Sequence, residues 1–222
     1  MSSDATDNAQ EIASILINDY GWTLEAAAGA IGNMYKESGL NPWIWQGTLT
    51  QDNSLTEAQA RAQHGIQHGY GLIGWTPSGK YQFNNFTSGG GVVYFPNYDQ
   101  ESYFGYGPYF RDVPGSALDG AAQVKLLCEA MSRNSPNIWV HHSGHLGPSA
   151  YIQITQSPEY AAQEFWYGAE NSESSASIPQ RQAYARDYYD WLKDHGWTPS
   201  PGALPQAMAL LLAMTQKWYL KL

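Results

Sequence analysis

Between Gly21 and Pro42 the chain reads GWTLEAAAGAIGNMYKESGLNP, and this stretch constrains the fold more than any other. Ala26, Ala27, Ala28, Gly29, Ala30 and Gly32 are all small. Such a run lets a second backbone come close, so a helix here is expected to be buried. Thr23 suits the N-cap, and Glu25 puts a negative charge in the first turn, where the helix dipole favours it. Gly39 suits the C-terminal cap, and Pro42 cannot continue a helix. The helix therefore carries one carboxylate, Glu37, to its end, among Tyr35, Trp43 and Trp45. A carboxylic acid partly desolvated by aromatic rings keeps its proton more readily, because burial disfavours the charged form. That suits a general acid near neutral pH. The competing reading is a solvated helix end or a loop salt bridge.

Composition removes several function classes. The 222 residues carry a net charge of −9 with a pI of about 5.0, which argues against nucleic acid and anionic membrane surfaces. With one cysteine, Cys128, the chain has no internal disulfide framework and no Cys-rich zinc site. Cys128 lies in an apolar helical run and is expected in the core. The first residues, MSSDATDNAQ, contain neither a basic region nor an apolar core, so no signal peptide is expected. Nine Trp and sixteen Tyr are the anomaly. Such rings stack on sugars, and equally on one another in a core.

A second stretch, His68 to Pro77 (HGYGLIGWTP), is apolar, aromatic and punctuated by glycine. Gly32-Asn33-Met34 through Glu37-Ser38, Asn41-Pro42, Trp45-Gln46, Gly69-Tyr70-Gly71-Leu72 and Trp75-Thr76-Pro77 together resemble the phage tail lysozymes. These are wall-cutting domains in the tail tips of phages of Gram-positive hosts and relatives. The pattern is similar, more loosely, to goose-type lysozymes and lytic transglycosylases. The resemblance is strong over Trp22 to Lys80, weaker over Ser116 to Trp197, and absent elsewhere. It implies a mainly α, lysozyme-like α+β fold: a helical bundle around the Glu-bearing helix, with a small β element at the cleft. It implies cleavage of the MurNAc–GlcNAc β-1,4 bond of peptidoglycan, with Glu37 as catalytic acid and no cofactor or metal. Ser38, Trp45, Gln46, Tyr70, Gly71, Leu72, Ile73 and Trp75 would bind the glycan strand. The backbone of residues 69–73 would face the sugar amides, and Tyr70 and Trp75 would stack. The family often has Gln where this chain has Gly74, which removes one sugar-binding hydrogen bond but not the acid. Hydrolysis and transglycosylation both remain open. The expected location is the virion, at the tail tip or tail knob.

The rest of the chain fills in around this. Residues Ala5 to Tyr20 carry Ile12, Ile15, Leu16 and Tyr20 at helical spacing, and Gly21 ends the helix. Trp43 to Ser54 reads as loop, with Thr48 and Thr50 alternating as a short strand. Asp52 is the second carboxylate by order, either positioning a water or stabilising charge in the transition state. The alternative is an ordinary turn Asp. Thr56 to His64 reads as a short helix. His64 and His68 stand four apart, but Gly65 and the missing third ligand weaken a metal reading. Tyr81 to Phe110 is a Gly/Tyr-rich insert that either walls a cleft or docks on a partner.

Ser116 to Arg133 reads as a helix. His141, His142 and His145 lie in a Gly/Ser loop, as hydrogen-bonding groups or, less specifically, a metal cluster. Ser157-Pro158-Glu159 starts a helix running to about Ala169. Glu170 follows it, and the resemblance makes it a cleft carboxylate and, beside Asp52, a candidate catalytic residue that positions a water. Pro179 to His195 is the last long helix, ended by Gly196. The expected domains are a catalytic unit over 1–197 with the insert at about 81–115, a linker over 198–205, and an apolar tail over 206–222. The segment Ala207 to Leu222 is too short to span a bilayer comfortably. It is expected to seat in another tail protein, with interfacial membrane contact as the competing use. The rival function is a non-catalytic structural or carbohydrate-binding tail-tip protein. A His-dependent metallopeptidase has no supporting motif.

Overall fold

The computed structural model describes residues 5–42, 44, 71–74, 120–132, 139–170 and 175–198. These are mainly helical: α1 (Ala5–Ala13), α2 (Leu24–Ser38), α3 (Gly120–Ser132), α4 (Pro148–Tyr151), α5 (Pro158–Phe165) and α6 (Ile178–Asp194). A π-helical turn, Ser14–Asp19, extends α1, and another, Trp166–Glu170, extends α5. No strand occurs among the described residues. The strand expected at Thr48–Thr50, the short helix at Thr56–His64, the aromatic insert and the segment Ala207–Leu222 lie outside them. No helix among the described residues is long and apolar enough to cross a membrane.

α2 is the central strut, packed mainly against α6 and α5, which also pack on each other. Its caps form as its sequence predicts. The Thr23 hydroxyl accepts from the Ala26 amide at 3.2 Å and itself donates to the Ile154 carbonyl. Gly39 ends the helix with φ 62°, its amide donating to the Tyr35 carbonyl. The small residues permit backbone-to-backbone contact. A Cβ on Gly29 would lie 2.5 Å from the Ala161 Cβ of α5, and one on Gly32 would lie 2.5 Å from the Ala185 nitrogen of α6. Each glycine therefore sets the approach of one neighbour, and that approach brings side chains of three helices to the end of α2.

Leu40 also takes a left-handed φ of 62°, which strains a residue bearing a Cβ. Two things hold it: full burial of its side chain, and a hydrogen bond of 2.8 Å from the Asn8 side-chain Nδ2 to its carbonyl. The chain is thereby turned sharply just past Glu37.

α3 closes the other side, packing on α1, its π turn and α4. Val124, Leu127, Cys128 and Met131 enter the core, so Cys128 is a buried hydrophobe, as expected. The first helix is α-helical only to Ala13. Beyond it, three consecutive apolar residues, Ile15, Leu16 and Ile17, are all buried. An α-helix turns about 100° per residue and spreads such a run around its axis; the wider π turn accommodates it. Tyr151 anchors the centre of the core, fully buried, with Trp22, Trp139 and Phe165 around it. Its hydroxyl donates to the Ala26 carbonyl at 2.8 Å.

Candidate active site

Glu37 stands in the last turn of α2 with 28% of its side chain exposed. Arg181, in the first turns of α6, donates from Nη2 to Glu37 Oε1. Its other terminal nitrogen, Nη1, donates to Asn33 Oδ1 at 3.0 Å and lies 3.6 Å from Glu170 Oε1. Its Nε donates to the Ser177 hydroxyl at 3.1 Å. One guanidinium, 5% exposed, thus bridges a partly open carboxylate and a nearly buried one, since Glu170 is 7% exposed. Asn33 is itself fixed, donating to the Gly29 carbonyl at 2.8 Å and the Ala162 carbonyl at 3.0 Å. The planar fork of arginine suits this multiple engagement, which a lysine ammonium would not reproduce.

Glu170 reaches Arg181 from the π-helical turn that continues α5. Such wide turns displace side chains from the α-helical register and occur often at functional sites. The polar loop expected after Glu170 lies mostly outside the described residues. The 3-10 turn Ser175–Ser177 then leads into α6 and supplies the Ser177 contact.

Opposite Arg181, the turn formed by residues 71–74 backs onto the end of α2. The Gly74 amide donates to the Gly71 carbonyl at 3.1 Å, and the Gly71 amide donates to the Ile44 carbonyl at 2.9 Å. Gln123 of α3 staples this turn. Its Oε1 accepts from the Leu72 amide at 2.8 Å and its Nε2 donates to the Pro42 carbonyl at 3.0 Å. Gly74 has φ 65°, and a Cβ there would lie 2.9 Å from Glu37 Oε2. The two oxygens of Glu37 are therefore differentiated: Oε1 is held by Arg181, and Oε2 lies over a glycine backbone.

The expected site residues divide into three groups. Glu37 and Glu170 are brought to one guanidinium. Ser38, Gly71, Leu72 and Ile73 sit beside them but face inward. The Ser38 hydroxyl, fully buried, donates to the Met34 carbonyl at 2.8 Å and the Leu72 carbonyl at 3.2 Å. Leu72 and Ile73 are core residues. Leu72 has both backbone groups engaged within the fold. Asp52, Trp45, Gln46, Tyr70 and Trp75 lie outside the described residues. Of the aromatic residues expected around Glu37, Trp43 and Trp45 lie outside the described residues, and among the described residues Glu37 is held by an ion pair. Tyr35 instead packs edge-on against Tyr184 and Tyr188, at centroid distances of 4.7 and 5.5 Å.

The histidine loop has its own partners. Glu164, 3% exposed, accepts from the Leu146 amide at 2.7 Å, and its other oxygen lies 3.0 Å from His145 Nδ1. Tyr167 lies against the His145 ring, centroids 3.6 Å apart. Among the described residues no group of three or more His, Cys, Asp or Glu is placed to hold a metal ion.

Arg181, Asn33 and Gln123 were not singled out as site residues by sequence. The signal for Arg181 was present. Arg181, Ala185, Tyr188 and Leu192 recur at helical spacing, and Arg181, Ala185 and Leu192 are buried. A charged residue on a buried stripe requires a partner of opposite charge.

Two comparisons bear on this geometry. The family model for phage tail lysozyme matches residues 7–192. A 78-residue stretch is 40% identical to Morphogenesis protein 1 of Bacillus phage B103. That stretch is 35% of this chain and 18% of the relative, so the chain spans under one fifth of that protein's length.

Proposed function

The chain belongs to the phage tail lysozyme family, and from that premise and the setting of Glu37 we propose a peptidoglycan glycosidase of a phage tail. It would cleave the MurNAc–GlcNAc β-1,4 bond, with Glu37 as general acid, to open the wall during DNA entry. The observation that carries this reading is the asymmetry of the Glu37 carboxyl group. An oxygen that accepts from a guanidinium has no proton to give in that direction. Oε2 is therefore the oxygen that hands its proton to the leaving glycosidic oxygen, where negative charge develops as the bond breaks. Glycine at position 74 places no side chain against Oε2, where a Cβ would lie 2.9 Å away. The oxocarbenium-like centre is then captured in one of two ways. Water gives a reducing end, with Asp52 or Glu170 as the candidate to position it. The sugar's own 6-hydroxyl gives an anhydro end, and that route requires no second carboxylate. In both routes the acid is reset by a proton from the attacking hydroxyl or water.

Trp45, Gln46, Tyr70 and Trp75 are the proposed sugar contacts, by stacking and hydrogen bonding. Gly71, Leu72 and Ile73, with Ser38, would shape the floor beneath them. The virion tail is the proposed location, with other tail proteins as partners through the aromatic insert and Ala207–Leu222.

The test is a digest of purified peptidoglycan by the wild type and Glu37→Gln, read by mass spectrometry of the fragments. New reducing or anhydro ends made by the wild type and lost in the variant support the acid role. An uncut wall with both proteins overturns the glycosidase reading and leaves a structural or carbohydrate-binding tail protein. Equal cutting by both removes Glu37 from the chemistry.

A further inference from the structure

The turn of residues 71–74 is anchored in the core by the buried side chains of Leu72 and Ile73. Apolar burial is non-directional, so it does not by itself fix how the backbone of the turn stands against Glu37. Directional bonds do that. The Gly71 amide donates to the Ile44 carbonyl at 2.9 Å, and the Ser38 hydroxyl donates to the Leu72 carbonyl at 3.2 Å. A third anchor comes from α3. Gln123, 1% exposed, accepts from the Leu72 amide at 2.8 Å and donates to the Pro42 carbonyl at 3.0 Å.

We infer that Gln123 is a positioning residue: it locks the 71–74 turn and the chain leaving α2 to one point on α3, and so fixes the backbone that Glu37 Oε2 faces. This inference rests on the glycosidase reading for its purpose, but the placement it describes does not depend on that reading. The chemistry of the position calls for a primary amide. Its two partners are one N–H and one C=O, from segments far apart in the chain. An amide accepts and donates side by side, whereas a carboxylate only accepts and a thioether offers no donor. Both partners are buried, so neither can turn to water if the amide is removed.

The two glycines of the turn carry this placement from α3 to the acid. A Cβ on Gly71, at φ 78°, would lie 2.3 Å from Gln123 Oε1 and 2.8 Å from its Cδ, so glycine there is what admits the amide. A Cβ on Gly74 would lie 2.9 Å from Glu37 Oε2 and 3.6 Å from Glu37 Cβ. One end of the turn thus meets Gln123 and the other meets Glu37. Ser38, next to Glu37, and Gln123 hold the two backbone groups of Leu72 between them. Releasing Gln123 frees the turn to shift relative to the end of α2, and a misplacement of about 1 Å at a reacting group can lower a rate by about 100-fold.

The experiment compares the full chain with Gln123→Met, which keeps the length of the side chain without the amide, with Gly71→Ala, and with the double variant. Val124→Ala, a core truncation on the same helix, controls for lost stability. NMR reads the placement directly. In the wild type a Gly74 Hα lies close enough to the Glu37 Hβ protons for a nuclear Overhauser effect, and the Leu72 amide is protected from exchange. Gln123→Met weakens that effect and speeds Leu72 exchange by about tenfold, and Val124→Ala changes neither. On solubilised peptidoglycan strands, kcat of Gln123→Met falls by about 10- to 100-fold with little change in KM, while Val124→Ala digests as the wild type does. Because Gly71→Ala and Gln123→Met disrupt one contact, the double variant is no slower than the slower single variant. Gln123→Asn, with its amide withdrawn by one methylene, gives the same loss of the Gly74–Glu37 effect and serves if Gln123→Met does not fold. An unchanged Gly74–Glu37 effect and unchanged Leu72 exchange overturn the inference, even if the wall is cut. Equal kcat losses in Gln123→Met and Val124→Ala also overturn it, since the effect is then one of stability. A wall left uncut by the wild type, with the Gly74–Glu37 effect lost in Gln123→Met, defeats the glycosidase reading and leaves the placement by Gln123 standing.

Discussion

Replacing Gly32 with alanine separates two opposing effects whose sign the structure predicts. On an exposed helix the change stabilises by about 1 kcal/mol, because alanine loses less backbone freedom on folding. At Gly32 the new Cβ would lie 2.5 Å from the Ala185 nitrogen, 2.8 Å from its Cα and 2.9 Å from its Cβ. The two nearest are backbone atoms, so no side chain can rotate out of the way. Restoring ordinary contact requires α2 and α6 to separate by roughly 1 Å, a shift of the kind that costs about 1–3 kcal/mol in a packed core. Set against the propensity gain, the expected result is a net loss of about 1–2 kcal/mol. Arg181 lies one turn before Ala185, so the separation also stretches the 3.0 Å bond from Nη1 to Asn33 beyond hydrogen-bond range. Misplacement of about 1 Å at such a site can lower a rate by about 100-fold. Urea unfolding at pH 7, followed by tryptophan fluorescence, gives the stability. Gly147→Ala serves as control, since Gly147 has φ −77° and its added Cβ would meet no atom nearer than His141 Cδ2 at 3.9 Å. A Gly32→Ala protein as stable as wild type, or more so, would refute close backbone packing as the basis of this helix pair.

Gly74→Ala places a Cβ 2.9 Å from Glu37 Oε2 at a backbone φ of 65°. Wall digestion should fall at least tenfold while stability falls by about 1–2 kcal/mol, the cost of a left-handed non-glycine residue. Undiminished digestion would show that Oε2 is not the delivering atom. Burial, with Glu164 adding, holds the Tyr151 phenol well above its ordinary range. Burial also raises Tyr188, with Tyr35, Asp187 and Tyr184 nearby. Both raised groups contribute stability that is intact below the unfolded value and lost as pH rises past it. Urea midpoints should therefore hold from pH 7 to about 9 and fall above about 10, at roughly 1.4 kcal/mol per unit for each phenol; equal stability at pH 9 and 11 would contradict this. Slight burial raises Glu159, but its hydrogen bonds with Arg186, at 2.6 and 2.7 Å, outweigh that and lower it. Its contribution is present above the unfolded value, 4.5, and lost as pH falls below it. Both side chains are a third or more exposed, so Glu159→Gln should cost no more than about 0.5 kcal/mol at pH 7 and nothing at pH 3. A loss at pH 3 as large as at pH 7 would assign the effect to packing.

What the sequence made legible was chemistry confined to a few neighbouring residues. Thr23 and Ser157 cap because a hydroxyl three residues before an amide can accept from it, and both do. Gly39 and Gly196 end helices with φ 62° and 80°, which only a residue without a Cβ adopts at little strain. The position of Glu37 at the end of a small-residue helix followed from the same local rules. What was not legible depended on residues distant in the chain. Ser38 reads as a polar group beside the acid, yet its hydroxyl is satisfied within the fold by Met34 and Leu72. Gly74 reads as a missing side chain, and only the approach of Glu37, 37 positions earlier, explains what that side chain would obstruct.

Arg181 lies between these cases. Apart from nearby Ser177, its partners, Asn33, Glu37 and Glu170, come from two other elements, and no local rule names them. Its need for partners is nevertheless written in its own helix. The step from Arg181 to Ala185 to Tyr188 to Leu192 follows one face, and a guanidinium on a buried face is tolerable only when its charge is matched. Glu37 meets it directly, accepting from Nη2 on Oε1. A second, deeper carboxylate stands 3.6 Å from Nη1. That residue is Glu170, and the wide turn carrying it brings its carboxylate to the Arg181 side chain. The candidate acid site and the buried cation are then one construction: the guanidinium that the core must match is the one that holds Glu37 at the end of α2.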